Sequence, residues 1–161
     1  MISLSLENIN SQSPYKVETL GSGYVFTTNS NVQYSVHFTE EFSMGDCETY
    51  QFMFSKLTKE HTSFDNNIRN TLITIINEFF RVNQNVLLYI CDTSDNREAS
   101  RSRLFIHWFK QFAKEGAFEF RSANTTIEGE GFYAAIIVKN DNPKLDAILK
   151  DFEKSAAELT K

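Results

Sequence analysis

The densest run of chemistry-bearing side chains is Asp92-Thr93-Ser94-Asp95-Asn96-Arg97, with Arg101 one helical turn on and Arg103 just beyond it. It follows a short apolar run and precedes a helical period, so it stands where a strand ends and a helix begins. A helix start leaves its first backbone N–H groups without intrahelical partners, and the helix dipole favours negative charge there. Serine and threonine hydroxyls beside such a start, with two arginines spaced i, i+4, suit a phosphate or a carboxylate. Two other readings compete for the same residues. Asp92 and Asp95 are also hard-cation ligands, although two carboxylates without a third make a poor site, and no metal is expected. In the plainest reading Asp95 or Ser94 caps the helix, and Arg97 or Arg101 pairs with Asp92.

Between Arg97 and Lys114 five basic residues, Arg97, Arg101, Arg103, Lys110 and Lys114, stand against Glu98 alone, a local charge of +4 in a chain whose net charge is −5. A basic helix at 97–114 in an acidic protein suits an acidic protein partner; such a face is more often the solvated side of an amphipathic helix. The net negative charge and the lack of a glycine-and-aromatic signature argue against nucleic acid. Cys91 invites a nucleophile reading with His37, His61 or His107 as base, but nothing in the spacing joins them. A cysteine ending an apolar strand packs as a small hydrophobe. Cys47 and Cys91 have no zinc-type spacing. The pairs Glu40/Glu41 and Glu128/Glu130 are expected in turns and are assigned no chemistry.

The elements that must position these residues follow from periodicity. Residues 1–14 read as an arm or weak edge strand. Tyr24–Thr28 and Val32–Phe38 alternate with period two around Asn29-Ser30-Asn31, a hairpin whose asparagines tolerate positive φ. A third strand alternates through Tyr50, Phe52 and Phe54. The period then changes: Ile68, Leu72, Ile75, Ile76, Phe79 and Phe80 define a helix from Asp65 to Val82, with cap candidates in Ser63-Phe64-Asp65. Val86–Cys91 is apolar on both faces and reads as an interior strand. Leu104, Phe105, Trp108, Phe109 and Phe112 form the apolar stripe of a second helix that Gly116 stops. Phe118–Ser122 and Phe132–Val138 form a hairpin through Gly129–Gly131, and Asn142-Pro143 opens a last helix over 144–159.

With 161 residues, 41% hydrophobic and 14% aromatic, only six glycines and two prolines, the chain is expected to be one well-packed domain over 1–161. The expected fold is α+β, a mixed, mainly antiparallel sheet flanked by helices in the order β-β-β-α-β-α-β-β-α. If the strands at Tyr50 and Val86 are neighbours, the helix between them makes them parallel. Ligand sites favour the carboxyl ends of such strands, here 56–65 and 91–97. No signal peptide and no apolar run of membrane length is evident, so a soluble cytoplasmic protein with two unlinked cysteines is expected.

From Gly23 to Val138 this order, together with Asn96 and Ala99 opening a helix and Gly116-Ala117-Phe118 leading into a strand, resembles the core of the GNAT acyltransferases. The resemblance implies acetyl-coenzyme A or coenzyme A held between two splaying parallel strands, its pyrophosphate on a glycine-containing loop and helix start. Lys56, Lys59, Thr62 and Ser63 would then face phosphates, and Asp92 to Arg101 would line the acceptor side. The segment Lys56–Asp65 contains no glycine. A second resemblance rests on Tyr89–Asp95 with Arg101, Arg103, Phe105, Trp108 and Phe109, which are similar to an uncharacterised family of small proteins encoded in Bacteroidetes genomes.

Three functions stay open on the sequence. One is a GNAT-like domain serving as a non-catalytic ligand- or partner-binding module. The second is an acyl-coenzyme A-dependent N-acyltransferase. The third is a protein-interaction component of a regulatory or defence operon, acting through its basic helix; separately, surplus aromatics on an uncovered sheet face would suit a homodimer.

Overall fold

The computed structural model describes residues 3–58, 65–92, 96–127 and 130–159, with side chains described except at 91, 92, 96–102, 125–127, 130, 158 and 159. Among the described residues the order is α1 (Leu6–Gln12), β1 (Val17–Leu20), β2 (Gly23–Thr27), β3 (Gln33–Met44), β4 (Cys47–Lys56), α2 (Asn66–Val82), β5 (Val86–Asp92), α3 (Asn96–Glu115), β6 (Phe118–Ile127), β7 (Glu130–Lys139) and α4 (Leu145–Leu159). The strands make one mixed, mainly antiparallel sheet in the order β1-β2-β3-β4-β5-β7-β6. The fold is α+β. No helix among the described residues is long and apolar enough to cross a membrane.

Three expectations are corrected. Within 1–14, where an arm or edge strand is expected, Leu6–Gln12 is a helix. Seven residues are too few for a periodic signal, and such a helix persists through anchoring rather than propensity. Ser5 caps it by accepting the Asn8 amide N–H, and Ile9 is fully buried. Secondly, four strands precede α2 instead of three, because Val17–Leu20 pairs with Gly23–Phe26 through a turn at Gly21. Thirdly, Glu40 and Glu41 lie within β3, not in a turn. The reversal falls at Gly45-Asp46, whose φ values of 57° and 60° are those of a tight two-residue hairpin turn.

The residues form two compact units. The first comprises 1–39 and 52–83. Here α2 starts at Asp65, whose side chain accepts the Ile68 N–H at 2.7 Å, as the Ser63–Asp65 cap candidates require. Its inner face, Ile68, Leu72, Ile75, Ile76, Phe79 and Phe80, is buried. An aromatic series lies on the sheet: Phe26 and Tyr34 have ring centroids 5.6 Å apart, Phe38 and Phe52 5.5 Å, and Phe38 stacks on Phe79 at 5.2 Å. Burying one such ring stabilises by roughly 1.5–3 kcal/mol before entropy is counted. At the sheet edge Asn10 of α1 pairs with Val17 twice, accepting its N–H at 2.8 Å and donating to its carbonyl at 2.9 Å.

The second unit comprises 40–51 and 84–161. Its central strand is β5, parallel to β4 over Thr49–Gln51 and antiparallel to β7 from Leu87 to Asp92. Parallel pairing is what the helical connection between Tyr50 and Val86 demanded. Alternation divides β5 between two layers, which is why it reads as apolar throughout. Val86 and Leu88 pack with Ile136, Val138, Ile148 and Phe152, the last two from α4. Tyr89 faces the other way, its ring centroid 4.5 Å from that of Phe105 on α3. The start of α4 is fixed by buried Asn142, which accepts the Lys144 N–H at 2.8 Å and donates to the Gln84 carbonyl at 2.7 Å.

Candidate functional site

The residues expected to hold an anion are distributed as follows. Lys56 ends β4 and is half-buried. Lys59, Thr62, Ser63, Thr93, Ser94 and Asp95 lie outside the described residues, as does His61. Asp92 ends β5, and Arg97 and Arg101 stand in the first turns of α3, with side chains outside the description; the same holds for Cys91. Cys47 is a buried thiol that donates to the Gln84 carbonyl at 3.5 Å, a packing role. No group of three metal-ligating side chains converges among the described residues.

At the start of α2 the geometry is explicit. One oxygen of Asp65 accepts the Ile68 N–H and the other accepts the Tyr15 hydroxyl at 2.7 Å. A helix start offers N–H groups and positive dipole to an anion. Here the protein's own carboxylate already holds that position, and it repels a second anion.

The second unit carries a different arrangement on α3. The helix is fixed by an aromatic inner face. Phe105, Phe109 and Ala113 are each 2% exposed. Phe105 and Phe109 stack at 5.4 Å, Phe109 meets Phe120 of β6 edge-on at 6.2 Å, and Phe112 stacks on Phe118 at 4.9 Å. Gly116 closes the helix, its N–H donating to the Phe112 carbonyl at 3.1 Å. A Cβ there would come within 2.9 Å of the Phe118 ring.

With that face anchored, the opposite one is set by helical geometry. Arg103, His107, Lys110 and Lys114 recur at intervals of four, three and four residues, which keeps them within an arc of about 60° over about 16 Å of helix. All four are exposed. Among the described residues none of them forms an ion pair. Lys114 lies in the last turn, where the helix dipole favours a cation. Beside the basic stripe runs a second line at the same spacing: Leu104, 36% exposed, half-buried Trp108 and exposed Gln111. The local excess of +4 is legible in the sequence. Its division into a basic stripe and an adjoining apolar line becomes visible once the Phe105–Phe109 anchors fix the rotation of the helix.

Residues 64–154 match the model of a family described as a family of unknown function (DUF6169), a stretch that contains α2, β5, α3, β6, β7 and most of α4. No curated protein matches the chain.

Proposed function

The chain belongs to this family of unknown function, and because the matched stretch contains the whole of α3, we propose that it is a non-catalytic binding module that recognises an acidic protein partner through α3. The observation that carries this reading is the stripe Arg103, His107, Lys110 and Lys114, exposed and without ion pairs among the described residues, directly behind a buried aromatic anchor. The chain as a whole is acidic, with a net charge of −5, so an acidic partner is repelled elsewhere and drawn to this face. Phe105 and Phe109 hold the helix in place before binding, which lowers the entropy that association costs.

The test uses poly-L-glutamate of about 20 residues as an acidic probe, with the emission of Trp108, the chain's single tryptophan, as readout. The expected result is saturable binding that weakens from about 50 to 200 mM salt, as screening requires. It should be lost in the triple variant Arg103→Glu, Lys110→Glu, Lys114→Glu. Binding unchanged by that reversal overturns the reading.

A second reading, coenzyme A binding, is favoured by the parallel pairing of β4 with β5, the arrangement that the acyltransferase resemblance implies. The carboxylate of Asp65 at the start of α2 opposes it. Thermal unfolding with acetyl-coenzyme A, coenzyme A and ATP separates the two. A ligand at about 100 times its Kd adds about 2.7 kcal/mol, a shift of roughly 5–10 °C for a chain of this size. A shift confined to the coenzyme A compounds would replace the first reading with the second.

A further inference from the structure

Resting on the proposed role of α3, we infer that the partner segment is an acidic amphipathic helix that lies along α3. The observation is the pairing of two lines on one helix surface. Arg103, His107, Lys110 and Lys114 supply charge, and Leu104, Trp108 and Gln111 supply a narrow, partly apolar line one step round the helix. Both repeat every three to four residues. An apolar seam flanked by charge at that interval is how one helix reads another, the seam giving contact and the flanking charges choosing the partner. A partner helix carries carboxylates with the same rise per residue, about 1.5 Å, so successive pairs stay in step along the stripe. An extended strand advances about 3.3 Å per residue, and its same-face side chains fall progressively out of step with α3.

Charge argues in the same direction. A polynucleotide or an anionic membrane presents negative charge well beyond the width of one helix, and a chain of net charge −5 meets that field with repulsion. A single acidic helix presents its charge where the basic stripe lies. Leu104 is the residue that distinguishes helix docking from simple charge attraction. It is a large apolar side chain left 36% exposed beside the stripe, and charge attraction alone makes no use of it.

The experiment titrates the whole protein with a blocked peptide of about 18 residues, bearing Glu at i, i+4, i+7 and i+11 and Leu at the adjoining positions. A scrambled peptide of identical composition, poly-L-glutamate and a single-stranded oligothymidylate serve as comparisons, with Trp108 emission and peptide circular dichroism as readouts. The patterned peptide should bind about tenfold tighter than the scrambled one, gain helicity, and shift Trp108 emission to the blue. Leu104→Ser, a change at an exposed position, should remove the preference while leaving the binding that poly-L-glutamate shows.

Equal affinity for the two peptides, or a preference that survives Leu104→Ser, overturns the helix inference. The acidic-partner reading still stands in that case if the charge-reversed triple variant loses binding. Absence of binding to every acidic probe overturns both. Tighter binding of the oligothymidylate than of any peptide overturns both in favour of nucleic acid.

Discussion

Tyr15 donates its hydroxyl to Asp65 at 2.7 Å, and the carboxylate that receives it is also the cap of α2. One side chain thus fixes the helix start and ties it to the segment leading into β1. Burial, and then the hydrogen bond to the Asp65 carboxylate, raise the Tyr15 phenol above its ordinary value. Asp65→Ala removes the cap and the acceptor of the Tyr15 hydroxyl, so it should cost about 1–3 kcal/mol in urea unfolding. Asp65→Asn keeps an acceptor and should cost less. Because the folded phenol titrates later than the unfolded one, its contribution is complete below about pH 10 and declines as pH rises through the folded value. Tyr15→Phe should remove that alkaline decline.

Glu78 gives the opposite sign. It is 5% exposed, receives Arg81 on both oxygens at 2.9 and 2.6 Å, and accepts the Ser5 N–H at 3.4 Å. The Arg81 guanidinium, opposed by burial and helped by the Ser5 amide, holds its carboxyl below the usual range. Its stabilisation is therefore full above the unfolded value of about 4.3 and is lost as pH falls through the folded one. Glu78→Gln should cost about 1.5 kcal/mol at neutral pH and flatten the acid limb of a stability–pH curve. A curve of unchanged shape would show that other carboxylates set that limb.

Two glycines with positive φ make a controlled pair. Gly45 has φ +57°, and a Cβ there would lie 2.5 Å from the Ile148 amide nitrogen, within the backbone of α4. Gly21 has φ +59° and nothing within 4 Å of the same point. Gly21→Ala should cost about 1–2 kcal/mol for backbone conformation alone. Gly45→Ala adds displacement of α4 and should cost about 2–4 kcal/mol. Equal losses in denaturant unfolding would mean that the hairpin turn does not rest on α4 in solution.

The two sides of α3 should separate in stability as they do in structure. Phe109→Ala opens space beside Phe105 and Phe120 and should cost about 3–5 kcal/mol. Lys110→Glu, on the exposed stripe, should change stability by no more than about 0.5 kcal/mol. Thermal melts of both variants also supply the folding control for the binding experiments.

The elements that were legible in the sequence are those whose burial has a period. Ile68 to Phe80 and Leu104 to Phe112 repeat as helices, and Val86–Cys91, apolar on both faces, reads as an interior strand. The helix at Leu6–Gln12 was not legible, because one buried residue, Ile9, and a long-range bond from Ser5 to Glu78 hold it. Glu40 and Glu41 looked like turn residues because they are charged; they lie in β3, and the turn is carried by Gly45-Asp46 farther on. At the candidate site the charge excess of α3 was plain, but which cations share a stripe depends on helix rotation. That rotation is set by tertiary contacts to Tyr89 and Phe120.

The double bond between the Asn10 side chain and the backbone of Val17 has a consequence for colloidal behaviour. Strand β1 is terminal in the sheet order, and the outer rim of such a strand is a template on which another molecule's strand can nucleate. The carboxamide of Asn10 offers Val17 one donor and one acceptor, the pair that an intruding strand would offer, and so works as a built-in plug. Detaching the short helix that carries it would leave the backbone N–H and carbonyl of Val17 on that rim without these partners.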